Sequence, residues 1–151
     1  MKELIEQILE YHRLKEDFNR HENFVLRVQP PRPNELEIRK RGERIFVGEA
    51  TNFDYWLIRQ DLTYSPEMEF EMIKGGLWVP TYLKEPHKPG RKSIEYINGC
   101  REVREVRLRN QVRFAKAWSE KLSARDYRHS LLRRVHFWNE STPGSITGSP
   151  S

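Results

Sequence analysis

Glu69, Glu71 and Lys74 stand where a strand-like run enters a glycine turn, with Asp54 and Asp61 upstream. Two carboxylates on one side of a strand can hold a divalent ion while a lysine steadies the attacking water, as in metal-dependent nucleases. The run Glu71-Met72-Ile73-Lys74 is one residue longer than the acid-any-lysine triplet of such enzymes. A solvent-facing row of glutamates accounts for the same residues. The histidines His12, His21, His87, His129 and His136 show no HxxxH or HxxEH spacing. His129 and His136 can share a helix face, but with no cysteine or carboxylate expected beside them they name no zinc site. Cys100, next to Arg101, reads as a small buried thiol rather than a nucleophile. Gly90-Arg91-Lys92-Ser93 lacks the upstream glycine of a phosphate loop. No catalytic residue, metal site or cofactor is assigned.

Cations offer more. Arg109, Arg113 and Lys116 recur at i, i+4 and i+7, with Arg104 and Arg107 one turn earlier. On a helix they occupy a side distinct from the apolar stripe. Regularly spaced cations on a rigid element suit a polyphosphate backbone, whose released counterions drive binding. The loop residues Lys84, Lys88, Arg91 and Lys92, and the pair Arg133/Arg134, extend the same basic region. Aromatic residues interleaved with the cations, as single-strand binders use, are sparse, and no helix-turn-helix pattern is evident.

The distribution of charge sharpens this. The chain has 151 residues and a net charge of +5. Residues 1–83 carry 12 Lys/Arg against 15 Asp/Glu, or −3, whereas residues 84–134 carry 15 against 6, or +9. A segment so charged repels itself unless an anionic partner or local carboxylates such as Glu102, Glu105 and Glu120 compensate. The single cysteine excludes a disulfide framework. No apolar run approaches the roughly 18–20 residues of a membrane span, and the N-terminus lacks a signal-peptide core. A soluble, cytoplasmic protein is expected, with no membrane partner.

The positioning elements follow from periodicity. Leu4, Ile8, Tyr11 and Phe18 predict one amphipathic helix over 2–21. Alternation predicts strands over 24–29, 36–41, 44–50 and 53–59, with Gly42 turning the second hairpin. Glu67 to Met72 alternates strictly, placing Met68, Phe70 and Met72 in the core and Glu67, Glu69 and Glu71 in solvent. Lys74-Gly75-Gly76 turns it into Leu77–Leu83, whose Pro80 belongs at a sheet edge. Residues 94–97 suggest a short strand ended by Asn98-Gly99. A helix is predicted from about Arg101 to Ala124, its stripe formed by Leu108, Val112, Ala115, Trp118 and Leu122, and a last helix by Tyr127, Leu131, Val135 and Trp138. Residues 141–151 read as a disordered tail.

Phe70, the Pro80/Tyr82 strand, Glu102-Val103 and the helix with Leu108, Phe114, Ala115, Trp118 and Leu122 carry a resemblance. The stretch from Phe70 to Tyr127 resembles a small domain family of unknown function found in bacterial, phage and mobile-element proteins. The basic loop 84–93 and Asp126-Tyr127 depart from that pattern. The resemblance implies α+β architecture and a phage or mobile-element origin, and no activity.

The reading is therefore an α+β fold: an N-terminal helix, an antiparallel sheet of about five strands, and one or two C-terminal helices on one face, in a single domain over 1–140. The expected function is non-enzymatic binding of nucleic acid through Lys88, Arg91, Lys92, Arg104, Arg107, Arg109, Arg113 and Lys116. An inhibitor or adaptor that binds an acidic protein surface is the alternative, and a metal-dependent nuclease the third.

Overall fold

The structure, a computed structural model, describes residues 1–31, 34–50 and 64–140. The strand expected over 53–59, Asp54 and Asp61, and the tail at 141–151 lie outside the described residues. The single helix expected over 2–21 is two, α1 (Lys2–Tyr11) and α2 (Lys15–Arg20). Arg13, at φ 57°, breaks it. The Leu14 amide donates to the Leu9 carbonyl at 2.8 Å and the Arg13 amide to the Glu10 carbonyl at 3.1 Å. This is the paired closure of a helix C-terminus that normally selects glycine at the left-handed residue. An arginine there gives no stop signal, so the periodicity runs on unbroken.

The antiparallel strands β1 (Asn23–Gln29), β2 (Leu36–Arg41), β3 (Arg44–Ala50), β4 (Tyr64–Met72) and β5 (Trp78–Lys84) form a meander. The two-residue β6 (Arg91–Lys92) extends it at one edge. At the other edge β9 (Leu131–Trp138) pairs with β1, giving the order β6-β5-β4-β3-β2-β1-β9. A separate ribbon joins β7 (Ile94–Ile97) to β8 (Cys100–Val103) through Asn98-Gly99, both at positive φ. One long helix, α3 (Glu105–Ser123), packs against β5. The class is α+β as expected, but the large sheet has seven strands and a second small sheet accompanies it.

The C-terminal helix expected at 127–138 is a strand. Spacings of three and four between Tyr127, Leu131, Val135 and Trp138 mimic a helix. In β9 the alternation governs instead: Val135 and Phe137 lie opposite Leu26 and Phe24 of β1 and pack on the core. Residues 101–103, expected to begin the preceding helix, pair in the ribbon.

The β4–β5 hairpin forms as predicted. Met68 and Phe70 are buried and Met72 packs against the core. The three glutamates are half-buried rather than solvated. Burial raises the Glu67 carboxyl above the usual carboxylate range, against the pull of Lys84. Pro80 lies where β5 is locally the outermost strand, since β6 pairs only with Tyr82 and Leu83, and the β4 register slips beside Pro80.

The core lies between one face of the sheet and the helices. Leu4, Ile5, Ile8 and Leu9 of α1 meet Phe24, Leu26, Ile38, Ile45 and Met68. Phe18 of α2 stands edge-on to Phe24 at 5.2 Å. Lys40 points into this layer as well. Its Nζ donates to the Phe18 carbonyl at 2.6 Å and the His21 carbonyl at 2.8 Å, and burial lowers its pKa. A cation there caps the carbonyl end of α2. On α3 the inward positions are Gln111, Ala115, Trp118 and Leu122, with Leu108 half-buried. Val112, expected in that stripe, is 51% exposed, and Gln111 at 2% takes its place.

Candidate nucleic-acid interface

Loop and helix are joined across the short edge strand β6. The Gln111 amide Nε2 donates to the Arg91 carbonyl at 2.9 Å, and Arg107 Nη1 reaches the Lys92 carbonyl at 3.4 Å. Ser93 is buried and donates through Oγ to the Pro80 carbonyl at 2.7 Å, while its own carbonyl accepts from the Arg104 amide at 2.7 Å. The loop lies tight on β5: a Cβ at Gly90 would collide with the ring and hydroxyl of Tyr82. Only glycine lets the backbone come this close.

These contacts enclose a cavity of about 310 Å³ lined by Lys88, Arg91 and Arg107 together with Glu85, Asn110 and Gln111. Three of the expected binding residues thus converge from a loop, a strand and a helix. Lys88 is paired with Glu85 at 3.5 Å, a weak exposed contact.

The other expected residues lie elsewhere. Lys92, next to Arg91 on the strand, lines a separate cavity of about 450 Å³ with Arg44, Glu69, Glu71, Tyr82 and Tyr96. Successive strand residues face opposite ways, which separates the two cations. Arg104 reaches Glu95 of the ribbon at 3.8 Å. Arg109, Arg113 and Lys116 are exposed on the outer side of α3. At 100° per residue Arg107 lies about 160° around the helix from Arg109, so the anticipated patch is two surfaces. Among the described residues, Glu102, Glu105 and Glu120 form no ion pair with any of these cations.

Arg133, anticipated as an extension of the patch, hydrogen-bonds through Nε to the fully buried Glu35 at 3.0 Å. Arg125 binds Glu49 at 3.1 Å, and the same carboxylate accepts from the Trp118 indole at 2.7 Å. Trp118 is core, as expected, with its N–H satisfied by a residue of the sheet.

The candidates for chemistry disperse. Glu69 and Glu71 share their cavity with Arg44 and Lys92, while Lys74 is exposed in the turn. Among the described residues no three His, Cys, Asp or Glu side chains gather where a metal could bind. His129 is held at 2.6 Å by Asp126, a carboxylate the sequence reading did not place beside it, and His136 lies on β9 against Trp138. His12 Nε2 meets Ser130 Oγ at 2.7 Å, which invites comparison with a nucleophile and its base. That hydroxyl donates its one proton to the Tyr127 carbonyl at 2.6 Å, so the imidazole donates and the serine is not activated. Cys100 is exposed, not buried, because the ribbon turn carries it away from the core. Asn110 and Gln111 are the site residues that sequence reasoning missed; the only signal was a polar residue at an inward helix position.

No helix among the described residues is long and apolar enough to cross a membrane. Comparison with known proteins finds no matching family model, no matching curated protein and no matching solved structure, so the likeness drawn over Phe70–Tyr127 gains no support.

Proposed function

We propose that this is a non-enzymatic nucleic-acid-binding protein that engages the phosphate backbone through its basic C-terminal half. The observation that carries this reading is the row Arg109, Arg113 and Lys116, exposed on a rigid helix and unpaired among the described residues. Cations without internal carboxylates are free to replace the counterions of a polyphosphate. The reading takes residues 1–140 as one domain in the cytoplasm, of phage or mobile-element origin.

The test is oligonucleotide affinity against salt concentration. Replacing Arg109 and Arg113 together with alanine should weaken binding about equally across sequences and flatten the log–log salt slope by roughly two units. An unchanged slope, or no binding at low salt, would defeat the reading.

The second reading, a module for an acidic protein partner, draws on the neighbouring border of the same helix. There a groove of about 590 Å³ is lined by Phe70, Leu77, Trp78 and Val112, with Lys2 and Lys116 set against Glu3 and Glu120, and with Leu77 63% and Val112 51% exposed. Exposed apolar residues gathered in a groove are typical of protein contact sites. Binding that persists at high salt and is lost on Leu77→Asp would favour it.

A further inference from the structure

The 310 Å³ cavity differs in kind from the open row on α3. A polynucleotide backbone can lie along a row of exposed cations, whereas a recess at the lower end of ligand-pocket volumes, roughly 300 Å³, has room for a nucleotide-sized group at the end of a strand. Resting on the nucleic-acid reading and narrowing it, we propose that this cavity binds a terminal phosphomonoester, the phosphorylated end of a polynucleotide strand.

Charge is the first reason. Lys88, Arg91 and Arg107 face one carboxylate, Glu85. The surplus matches a phosphomonoester, which carries about −1.5 to −2 at neutral pH, better than the single charge of a backbone diester. Two guanidinium groups and an ammonium also offer more donors than the two free oxygens of a diester can accept.

Gln111 is the second reason. Its side chain lines the cavity, is 2% exposed, and has Nε2 committed to the Arg91 carbonyl, which fixes the amide orientation. Its Oε1 is buried without a hydrogen-bond partner. That oxygen is closed off from solvent, so what Gln111 gives the cavity is a fixed wall: its amide ties the backbone of Arg91 to α3 before a ligand arrives.

The walls are built before any ligand arrives. Gly90 seats the loop on Tyr82, and the Gln111 and Arg107 hydrogen bonds tie α3 to β6. Only Lys88 must leave its partner Glu85 to reach an incoming phosphate.

The experiment measures binding of one labelled single strand bearing a 5′-phosphate, a 3′-phosphate or hydroxyl ends, at physiological salt. One phosphorylated form should bind about tenfold tighter than the hydroxyl form, the effect of one added charge-assisted contact. Lys88→Ala with Arg107→Ala should remove that preference, and Glu85→Gln should enlarge it. Thermal melting of each variant checks that the fold is retained; Glu85→Gln and Lys88→Ala alone disturb only an exposed pair, so they keep the test decisive. In Arg109→Ala/Arg113→Ala every strand should weaken alike while the preference survives. Equal affinity for all three strands with a steep salt dependence would overturn the cavity proposal and leave the backbone reading standing. If no strand binds, the backbone reading falls; adenosine monophosphate then distinguishes a free nucleotide from a strand end, and its failure to bind overturns the phosphomonoester as well.

Discussion

Two populations of guanidinium groups serve different ends in this molecule. One is spoken for: Arg133 of β9 holds buried Glu35 at 3.0 Å, Arg39 of β2 holds Glu37 at 2.9 Å, and Arg125, just beyond α3, holds Glu49 of β3 at 3.1 Å. On the outer side of α3, Arg109 and Arg113 face solvent. The first population solves a folding problem, because a buried carboxylate is tolerated only with a partner. The second solves none that the described residues reveal. The lesson concerns where compensation comes from. Arg125 and Arg133 belong to the basic segment 84–134, yet their carboxylates lie in the acidic first half. Part of the +9 is cancelled through space, across the sheet, and the rest stays on the surface.

Glu49→Ala is the strongest way to break the paired side. It removes the acceptor of the Trp118 indole and leaves Arg125 largely buried without its counter-charge. A loss of about 3 kcal/mol is expected, a fall in melting temperature of roughly 6–12 °C. Glu49→Gln, which keeps an acceptor for Trp118, should lose less; equal losses would show that the Trp118 hydrogen bond adds nothing to the ion pair. Lys40→Met comes next. It preserves the stem but strips two carbonyls, those of Phe18 and His21, of their donor. About 2 kcal/mol should be lost in urea unfolding, and an unchanged midpoint would mean that water caps α2 equally well.

Arg13→Gly should act in the other direction. Relief of the left-handed backbone at φ 57° is expected to raise stability by about 0.5–1 kcal/mol. A decrease would mean that the arginine side chain has a role of its own. The smallest effect sharpens the contrast most: Arg109→Ala/Arg113→Ala, decisive for binding in the proposed reading, should change stability by no more than about 0.5 kcal/mol.

Elements with a single dominant face were legible in the sequence. The alternation of Met68 and Phe70 against the glutamates, and of Leu36 and Ile38 against their neighbours, sets strand and register because a slip would expose the core. Elements that broke the rules were not. Arg13 stands where glycine signals a helix end, Lys40 points inward from an apparently amphipathic strand, and β9 carries apolar residues at helix-like intervals. The five-strand estimate fell short because β6 is too short to show any period and β9 reads as a helix. At the site, the cations were visible as a count and spacing, but α3 sends Arg107 and Arg109 to different surfaces. Gln111 left only the trace of a polar residue at an inward helix position, since its importance lies in a backbone carbonyl that it holds across to β6.

The pairing of β9 with β1 has a consequence for the order in which the chain can assemble. The neighbours from β1 to β5 are joined in sequence order, so each new strand meets a partner already present. The final edge is different: Glu22 and Asn139, hydrogen-bonded at 2.9 Å, are 117 residues apart in the chain. Closing so long a loop is entropically expensive and slow relative to hairpin formation. Until β9 docks, β1 keeps one row of backbone groups open and Glu35 lacks its shortest partner, Arg133. One strand thus supplies both the closing ladder and the closing charge.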